Sequence, residues 1–221
     1  MSRRFQMILA FALLLFAPDI LRAQVASQHH PPQSIEEYIK ALEDPGRNEW
    51  QKPDVVVETL ALKQGDEVAD LGAGSGYFTI RLARAVGPSG KVYAVDVDQR
   101  MLDYIDQRAQ KEKLDNIQTV LADPNDPHLG SASVDLILIC DTLHHIANRN
   151  KYYPRLARAL RPGGRLVNID FHKRDLPVGP PMEMKIAKKD CLKEFRDAGF
   201  SLLQEFDFLK YEYFLIFEHE D

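Results

Sequence analysis

Short apolar runs alternate with amphipathic segments over most of the chain. The apolar runs predict strands, and they cover Glu67–Leu71, Lys91–Asp96, Ile117–Leu121, Val134–Cys140 and Arg165–Phe171. The amphipathic segments between them predict helices over Tyr77–Val86, Gln99–Lys111 and Lys151–Leu160. Because nearly continuous apolar strands alternate with helices, the pattern favours a doubly wound α/β domain, a parallel sheet covered by helices on both faces.

Two shorter helices are predicted before this alternating region. Ser34 and Glu37 have the spacing of a capping box, which predicts a helix to about Leu42. Pro53 suits the first turn of a second helix. The lone tryptophan, Trp50, precedes that helix, and two interpretations stay open: part of a lid over a site, or an anchor that holds the first helix to the domain.

The pattern changes again near the end of the chain. Asp190 is the predicted N-cap of a last helix that ends at Gly199. The two final apolar runs, residues 201–208 and 211–218, lie too close together for a crossover connection. They therefore predict an antiparallel hairpin.

The first residues have the pattern of a secretory signal peptide. Two arginines precede an eleven-residue apolar run, Met7–Ala17, which Pro18 ends, and small residues follow at positions 23, 26 and 27. An uncleaved membrane anchor is disfavoured because a spanning helix needs roughly 20 apolar residues. We therefore expect residues 1–26 to direct export to the bacterial periplasm, with no stable membrane insertion after cleavage; if the signal is not used, the protein is cytoplasmic. A linker and N-terminal helix or lid, residues 27–52, would then precede the main domain, residues 53–221.

Composition and charge exclude several classes of protein. The 221 residues are 45% hydrophobic and carry a formal net charge of −5, an ordinary globular balance without the basic surface of a nucleic-acid-binding protein. The two cysteines, Cys140 and Cys191, provide neither a disulfide framework nor zinc-ligand spacing. They are predicted to be unpaired thiols that pack as small apolar side chains.

A glycine-rich turn follows the first predicted strand. Gly72, Gly74 and Gly76 alternate there, and Asp70 stands two residues before the first of them. Such a turn lets a ligand approach bare backbone at the carboxyl edge of the sheet. A dinucleotide site would need a small residue where Tyr77 stands. The acid at Asp70 suits a ligand with a cationic amine better than one with a pyrophosphate.

Two further acids end the next two predicted strands. Asp96 ends the second strand, 20 residues after Gly76, which is the spacing of an acid that binds ribose hydroxyls. Asp123 follows the third strand, where an acid can meet an adenine amino group. With Asp70, these acids would serve one amine, one ribose and one adenine, which are the parts of S-adenosylmethionine (SAM).

At these motifs the sequence resembles the class I SAM-dependent methyltransferases, with the character of the quinone-biosynthesis and related small-molecule group. The resemblance covers Gln51 to the C-terminus. It depends on DLGAGSG at 70–76, Asp96, Ala122-Asp123, VDLILICDTLHHI at 134–146 and LRPGG at 160–164.

The resemblance implies a Rossmann-like methyltransferase fold, a seven-stranded, mostly parallel sheet whose last strand is antiparallel. It also implies that seven residues bind the cofactor, SAM: Asp70, Gly72, Gly74, Gly76, Asp96, Asp123 and Asp141. The glycines would contact it through their backbone. Asp70 would lie at its amino-acid end and Asp96 at its ribose. Asp123 would lie at its adenine and Asp141 beside its methyl group.

The strand that ends at Asp141 carries the candidate catalytic residues. A base is needed only if the acceptor must lose a proton, and His144 is the candidate for that role, with Asp141 beside it. A metal cluster of Asp141, His144 and His145 is disfavoured, because adjacent histidines cannot both face one ion from a regular strand or helix. No metal is therefore predicted.

Methyl transfer from SAM to an unidentified, small-molecule acceptor is the leading hypothesis for the function. An exported, non-catalytic protein that binds SAM or a nucleoside is one alternative, because a periplasmic protein would meet little SAM. A nicotinamide-dependent oxidoreductase is another, which the bulky Tyr77 disfavours. No nucleic-acid partner is expected, and the sequence leaves the oligomeric state open.

Overall fold

The computed structural model describes residues 34–219 of the chain. The predicted signal peptide, residues 1–26, and the first residues of the predicted linker, 27–33, lie outside this range. Within it, no helix combines the length and the apolar character that crossing a membrane requires.

Seven strands form a single sheet in the described chain. They are β1 (Glu67–Leu71), β2 (Lys91–Asp96), β3 (Ile117–Leu121), β4 (Val134–Cys140), β5 (Leu160–Phe171), β6 (Phe200–Phe206) and β7 (Glu212–His219). The helices are α1 (Ile35–Leu42), α2 (Arg47–Gln51), α3 (Pro53–Thr59), α4 (Thr79–Val86), α5 (Gln99–Glu112), α6 (Arg149–Ala159) and α7 (Lys188–Asp197). A 3₁₀ turn at Leu143–His145 follows β4.

The strand order is β3-β2-β1-β4-β5-β7-β6. Strands β1 to β5 pair in parallel, and β7 lies antiparallel between β5 and β6. The predicted doubly wound sheet with an antiparallel last strand is therefore confirmed. The order reverses between β1 and β4, and in open α/β sheets ligands bind outside the carboxyl ends of the strands at such a point.

A hydrophobic core lies on each face of the sheet, because alternate residues of a strand point to opposite faces. Ala69 of β1 packs in one cluster with Phe195 of α7. The preceding residue, Val68, packs in the other cluster with Val56 of α3 and Leu82 of α4. This two-sided burial explains why the inner strands are almost wholly apolar.

Most predicted boundaries agree with the structure, and the helix caps show why. The Ser34 hydroxyl accepts a hydrogen bond from the Glu37 amide at 3.1 Å, and Pro53 occupies the first position of α3. Gly199 follows α7 with φ +84°, a left-handed conformation that suits glycine.

Two predicted boundaries were wrong. Helix α7 begins at Lys188 with Ala187 as its N-cap, so Asp190 lies in the first turn, where its charge faces the positive end of the helix dipole. Strand β5 begins at Leu160, because the RPGG segment continues the pairing with β4 through an irregularity in the register.

Candidate functional site

A cleft opens at the carboxyl edge of the sheet, where the strand order reverses. Its larger lobe, about 390 Å³, is lined by the turn after β1, by the ends of β2 and β4, and by α1 and α2. A second lobe of about 240 Å³ extends to the end of β3. Five residues border both lobes, which therefore form one cleft: Gly72, Asp96, Val97, Thr142 and His145.

Asp70 is the penultimate residue of β1 and lines the larger lobe. Its side chain accepts a hydrogen bond from the Thr79 hydroxyl at 2.6 Å, and the residue is almost fully buried. Burial raises the pKa of the Asp70 carboxyl to about 6, although the hydrogen bond from Thr79 opposes this rise. A cationic amine in the cleft would favour the ionised carboxylate, so this acid is suited to bind one.

The turn after β1 requires glycine at two positions beside the cleft. Gly74 has φ +53°, and a Cβ there would lie 3.2 Å from the side chain of Leu42 in α1. Gly72 has φ +73°, and a Cβ there would lie 2.3 Å from the Thr142 side chain. The turn therefore presents backbone to the cleft, and packing against the end of β4 explains Gly72 without any ligand.

Two of the predicted cofactor-binding residues are less central than the sequence suggests. Gly76 does not line either lobe, and a Cβ there would lie 3.0 Å from Ile105, so close packing of α5 explains this glycine. Asp123 borders the second lobe, but its largely exposed carboxylate lies 3.0 Å from His128 Nε2.

Asp96 ends β2 between the two lobes. One carboxylate oxygen accepts a hydrogen bond from the Gly74 amide at 2.8 Å, and the other accepts one from the Asp98 amide at 2.9 Å. Asp98 itself caps α5 by accepting a hydrogen bond from the Arg100 amide. Each Asp96 oxygen keeps a further lone pair, so a carboxylate held in place by the backbone can accept hydrogen bonds from two ligand hydroxyls.

Helices α1 and α2 cover the larger lobe and are fixed to it by polar contacts. Glu43, which follows α1, accepts hydrogen bonds from the Ser75 hydroxyl and from Arg108, both at 2.6 Å. Arg47 of α2 lies over the Tyr77 ring, 4.1 Å from its centroid. Residues far apart along the chain therefore hold this cover against the glycine-rich turn.

A buried polar cluster lies at the ends of β4 and β7, beneath α2. The Gln51 amide nitrogen lies 2.8 Å from Asp141 Oδ2, 2.9 Å from Glu212 Oε1 and 3.1 Å from Cys140 Sγ. Arg47 donates to the same Asp141 oxygen at 3.1 Å. Asp141 has φ +54°, an unusual conformation for a residue other than glycine and one that occurs at functional sites.

The charges of this cluster depend on burial. Burial, followed by the charge of Asp141, raises the pKa of the Glu212 carboxyl well above its ordinary value. The same two causes raise the pKa of the Cys140 thiol. We therefore expect a neutral thiol and a neutral Glu212 beside an ion pair of Arg47 and Asp141.

The two histidines after β4 point to different surroundings. The His144 side chain is 3% exposed and lies with its Nδ1 2.8 Å from Asp170 Oδ1, whereas His145 borders both lobes of the cleft. Successive side chains of a tight 3₁₀ turn diverge, which explains the difference. His144, the candidate base, is therefore not among the cleft residues, while Asp141 is. Burial, and then the neighbouring His144, lowers the pKa of His145.

Sequence patterns did not reveal several residues of the site: Glu43, Arg47, Gln51 and Glu212. The partners of Gln51 lie 89, 90 and 161 residues away along the chain. Helix α2 has only five residues and no side-chain N-cap, so no periodic pattern predicts it. Glu212 begins β7 in a run that indicates only a strand.

The donor and acceptor groups of the cleft fit the predicted cofactor. Asp70 can bind its amine, Asp96 can accept from its ribose hydroxyls, and the bare backbone of Gly74 allows close approach. Asp141 contributes a further carboxylate at the end of β4. In the described chain, Arg47 is the sole arginine or lysine that lines the larger lobe.

Comparisons with known proteins show which proteins the chain resembles. A family model described as a methyltransferase domain matches residues 62–204. The ubiquinone/menaquinone biosynthesis C-methyltransferase UbiE of Pasteurella multocida is 31% identical over 139 residues, 60% of this chain and 48% of that protein. The demethylmenaquinone methyltransferase of Lactobacillus johnsonii is 32% identical over 133 residues, 60% of this chain and 54% of that protein. The chain thus spans about half the length of these curated relatives.

Solved structures of methyltransferases also resemble the chain, and these matches cover more of it than the curated relatives do. A SAM-dependent methyltransferase from Aquifex aeolicus is 30% identical, with a TM-score of 0.78 over 83% of this chain and 97% of that chain. A Burkholderia thailandensis 1,6-didemethyltoxoflavin-N1-methyltransferase, solved with bound S-adenosylhomocysteine, shares the fold with a TM-score of 0.64 at 20% identity, over 95% and 93% of the two chains.

Proposed function

The chain belongs to the methyltransferase domain family, the class I SAM-dependent methyltransferases, and from this premise we propose that it transfers a methyl group from SAM to a small-molecule acceptor. The observation that carries the proposal is the arrangement of Asp70, Asp96 and the glycine-rich turn around one cleft. SAM, the cofactor of this family, supplies an electrophilic methyl group on a positively charged sulfur.

We propose a carbon atom of a quinone precursor as the first acceptor to test. The names of the relatives from Pasteurella and Lactobacillus support this choice, since both act in quinone methylation. Methylation of carbon requires removal of a proton from the acceptor, and the Asp141 carboxylate, which lines the cleft, is the base that we propose for this step.

Transfer of an isotope-labelled methyl group from SAM to a demethylated quinol tests the proposal. We expect labelled product at a carbon of the ring with the full chain and none with heat-inactivated protein. Tight binding of SAM without transfer to quinols or related phenols would instead favour the non-catalytic, SAM-binding alternative.

Replacement of Asp96 by alanine tests the ribose assignment. We expect Asp96→Ala to weaken SAM binding by about 1–3 kcal/mol, because the ribose hydroxyls lose a charged acceptor and the Gly74 amide loses its partner. Isothermal titration calorimetry measures the change. Asp103→Ala is the matched control, since the Asp103 carboxylate accepts a hydrogen bond from Gln99 on the exposed face of α5, away from the cleft. An unchanged affinity in Asp96→Ala would falsify the assignment.

The location of the protein is a separate proposal. The pattern of residues 1–26 supports export, and we expect the mature chain to begin between residues 24 and 28. N-terminal sequencing of protein from fractionated bacterial cells measures this. Recovery of an intact Met1 from the cytoplasmic fraction would overturn the proposal and leave the methyltransferase assignment untouched.

A further inference from the structure

Two carboxylates meet under helix α2 with too little positive charge to balance both. Asp141, Glu212 and the Cys140 thiol bring one oxygen or sulfur atom each to within 4.8 Å of the others. Arg47 pairs with Asp141, and Gln51 donates to both carboxylates. A second full negative charge in this buried place would be costly.

Unpartnered oxygens mark the same place. Asp141 Oδ1 and Glu212 Oε2 are buried and have no hydrogen-bond partner among the described residues. Glu212 is fully buried. A proton held between two neighbouring carboxyl groups offsets their repulsion, as in other acid pairs that share a site.

Other titratable groups face the pair from the surrounding elements. They are Tyr38, Arg47, Cys140, His144, His145 and Asp170. Arg47 stays charged, and burial raises the pKa of Cys140, which keeps the thiol neutral. His144 Nδ1 lies 2.8 Å from Asp170 Oδ1, and the other oxygen of Asp170 has no hydrogen-bond partner among the described residues. Asp70 also lines the cleft, but it would respond to the ligand amine. Asp141 and Glu212 are therefore the pair whose joint protonation we expect a charge on the ligand sulfur to change.

Resting on the proposed function, we propose that Asp141 and Glu212 share one proton in the cofactor-free protein and release it when a sulfonium cation occupies the cleft. Two carboxylates then balance two cations, Arg47 and the sulfonium. The pair becomes a base only while a methyl donor is present, because the product of transfer carries a neutral sulfur.

The number of protons that the Asp141–Glu212 pair binds returns to its starting value after one turnover. The pair first gives its shared proton to solvent. As the acceptor carbon forms its bond to the methyl group and the sulfur–methyl bond breaks, the acceptor proton passes to the pair. The sulfur becomes a neutral thioether, and the pair again holds one proton. One proton thus leaves to solvent for each methyl group transferred.

Calorimetry with SAM and with S-adenosylhomocysteine, in buffers of different ionisation enthalpy, tests the proposal without an acceptor. The two ligands share the amine, carboxylate, ribose and adenine, and they differ in the charge on sulfur. Near neutral pH we expect SAM to release about one proton more than S-adenosylhomocysteine.

Two variants test whether the Asp141–Glu212 pair is the source of the released proton. Glu212→Gln keeps the shape of the side chain but cannot titrate, and we expect it to abolish the difference between the two ligands. Glu194→Gln removes a carboxylate from another arginine pair, with Arg149, outside the cleft, and we expect it to keep the difference. A difference that persists in a folded Glu212→Gln protein would overturn the proposal.

A second measurement needs only the wild-type protein and covers the case in which Glu212→Gln does not fold. The affinity for SAM relative to that for S-adenosylhomocysteine should rise with pH by up to about tenfold per unit where the pair titrates. Asp70 cancels from this ratio because both ligands carry the amine. A ratio independent of pH, equal proton release by the two ligands, or a stoichiometric divalent metal in the purified protein would contradict the proposal. Failure of SAM to bind would instead contradict the proposed function.

Discussion

Replacement of Asp70 by asparagine is expected to weaken binding of both SAM and S-adenosylhomocysteine by about 2–5 kcal/mol, the usual effect of removing one partner of a buried charge pair. Asp70 is the penultimate residue of β1, and it lines the larger lobe of the cleft. The Thr79 hydroxyl that donates to it at 2.6 Å can donate to the asparagine oxygen equally well. The loss should therefore appear in binding and not in folding.

The pH dependence of the wild-type protein provides the matching test. Because burial raises the pKa of Asp70 from an ordinary value of 3.8 to about 6, the carboxyl becomes protonated as the pH falls through about 6. The amine binds the ionised form, so affinity for S-adenosylhomocysteine should be constant above this pH and decrease below it. Asp70→Asn should remove that dependence.

Thermal unfolding shows whether Asp70→Asn weakens ligand binding alone or also destabilises the fold. A raised carboxyl pKa means that the folded protein binds more protons than the unfolded chain between pH 3.8 and about 6, so this group lowers stability as the pH rises through that window. At neutral pH, Asp70→Asn should therefore be at least as stable as the wild type. A variant that binds SAM normally would show that Asp70 has no part in the site.

Replacement of Gly74 by valine is expected to eliminate measurable SAM binding. The φ of +53° disfavours any β-branched residue, at a cost of about 1–2 kcal/mol. The new side chain would also push against Leu42, which lies 3.2 Å from the position of its Cβ, and would enter the space between the turn and α1. The Gly74 amide that holds Asp96 would move with it.

Gly163→Val is the control for backbone strain. Gly163 has φ +75°, and a Cβ there has no neighbour within 4 Å. We expect both variants to lose stability in thermal unfolding through backbone strain, Gly74→Val more because of its contact with Leu42, but only Gly74→Val to lose SAM binding by calorimetry. Normal binding by a folded Gly74→Val protein would mean that the turn serves the fold alone.

The sheet and half of the site could be predicted from local sequence. Inner strands of a parallel sheet are buried on both faces, so their apolar runs are conspicuous, and their ends converge at one edge. This is why Asp70 and Asp96 could be assigned to one cleft before the structure was known. The positions of Asp70 and Asp96 relative to the glycine-rich turn are the feature that predicts their roles.

The other half of the site depends on contacts that no local pattern encodes. Gln51 reaches Glu212 across 161 residues of sequence, from a five-residue helix. His144, the predicted base, does not line the cleft, because a single 3₁₀ turn decides which of two adjacent histidines borders it. Asp190 was wrong as an N-cap for a related reason: several polar residues near a helix start are equally suitable by sequence.

Calorimetric titration of the full chain with SAM, and in parallel with a nicotinamide dinucleotide, tests most directly whether this cleft is a SAM site. We expect saturable binding of one SAM per chain, which Asp70→Asn strongly weakens, and no binding of the dinucleotide. Absence of SAM binding, or binding of the dinucleotide in its place, would contradict the assignment of the cleft.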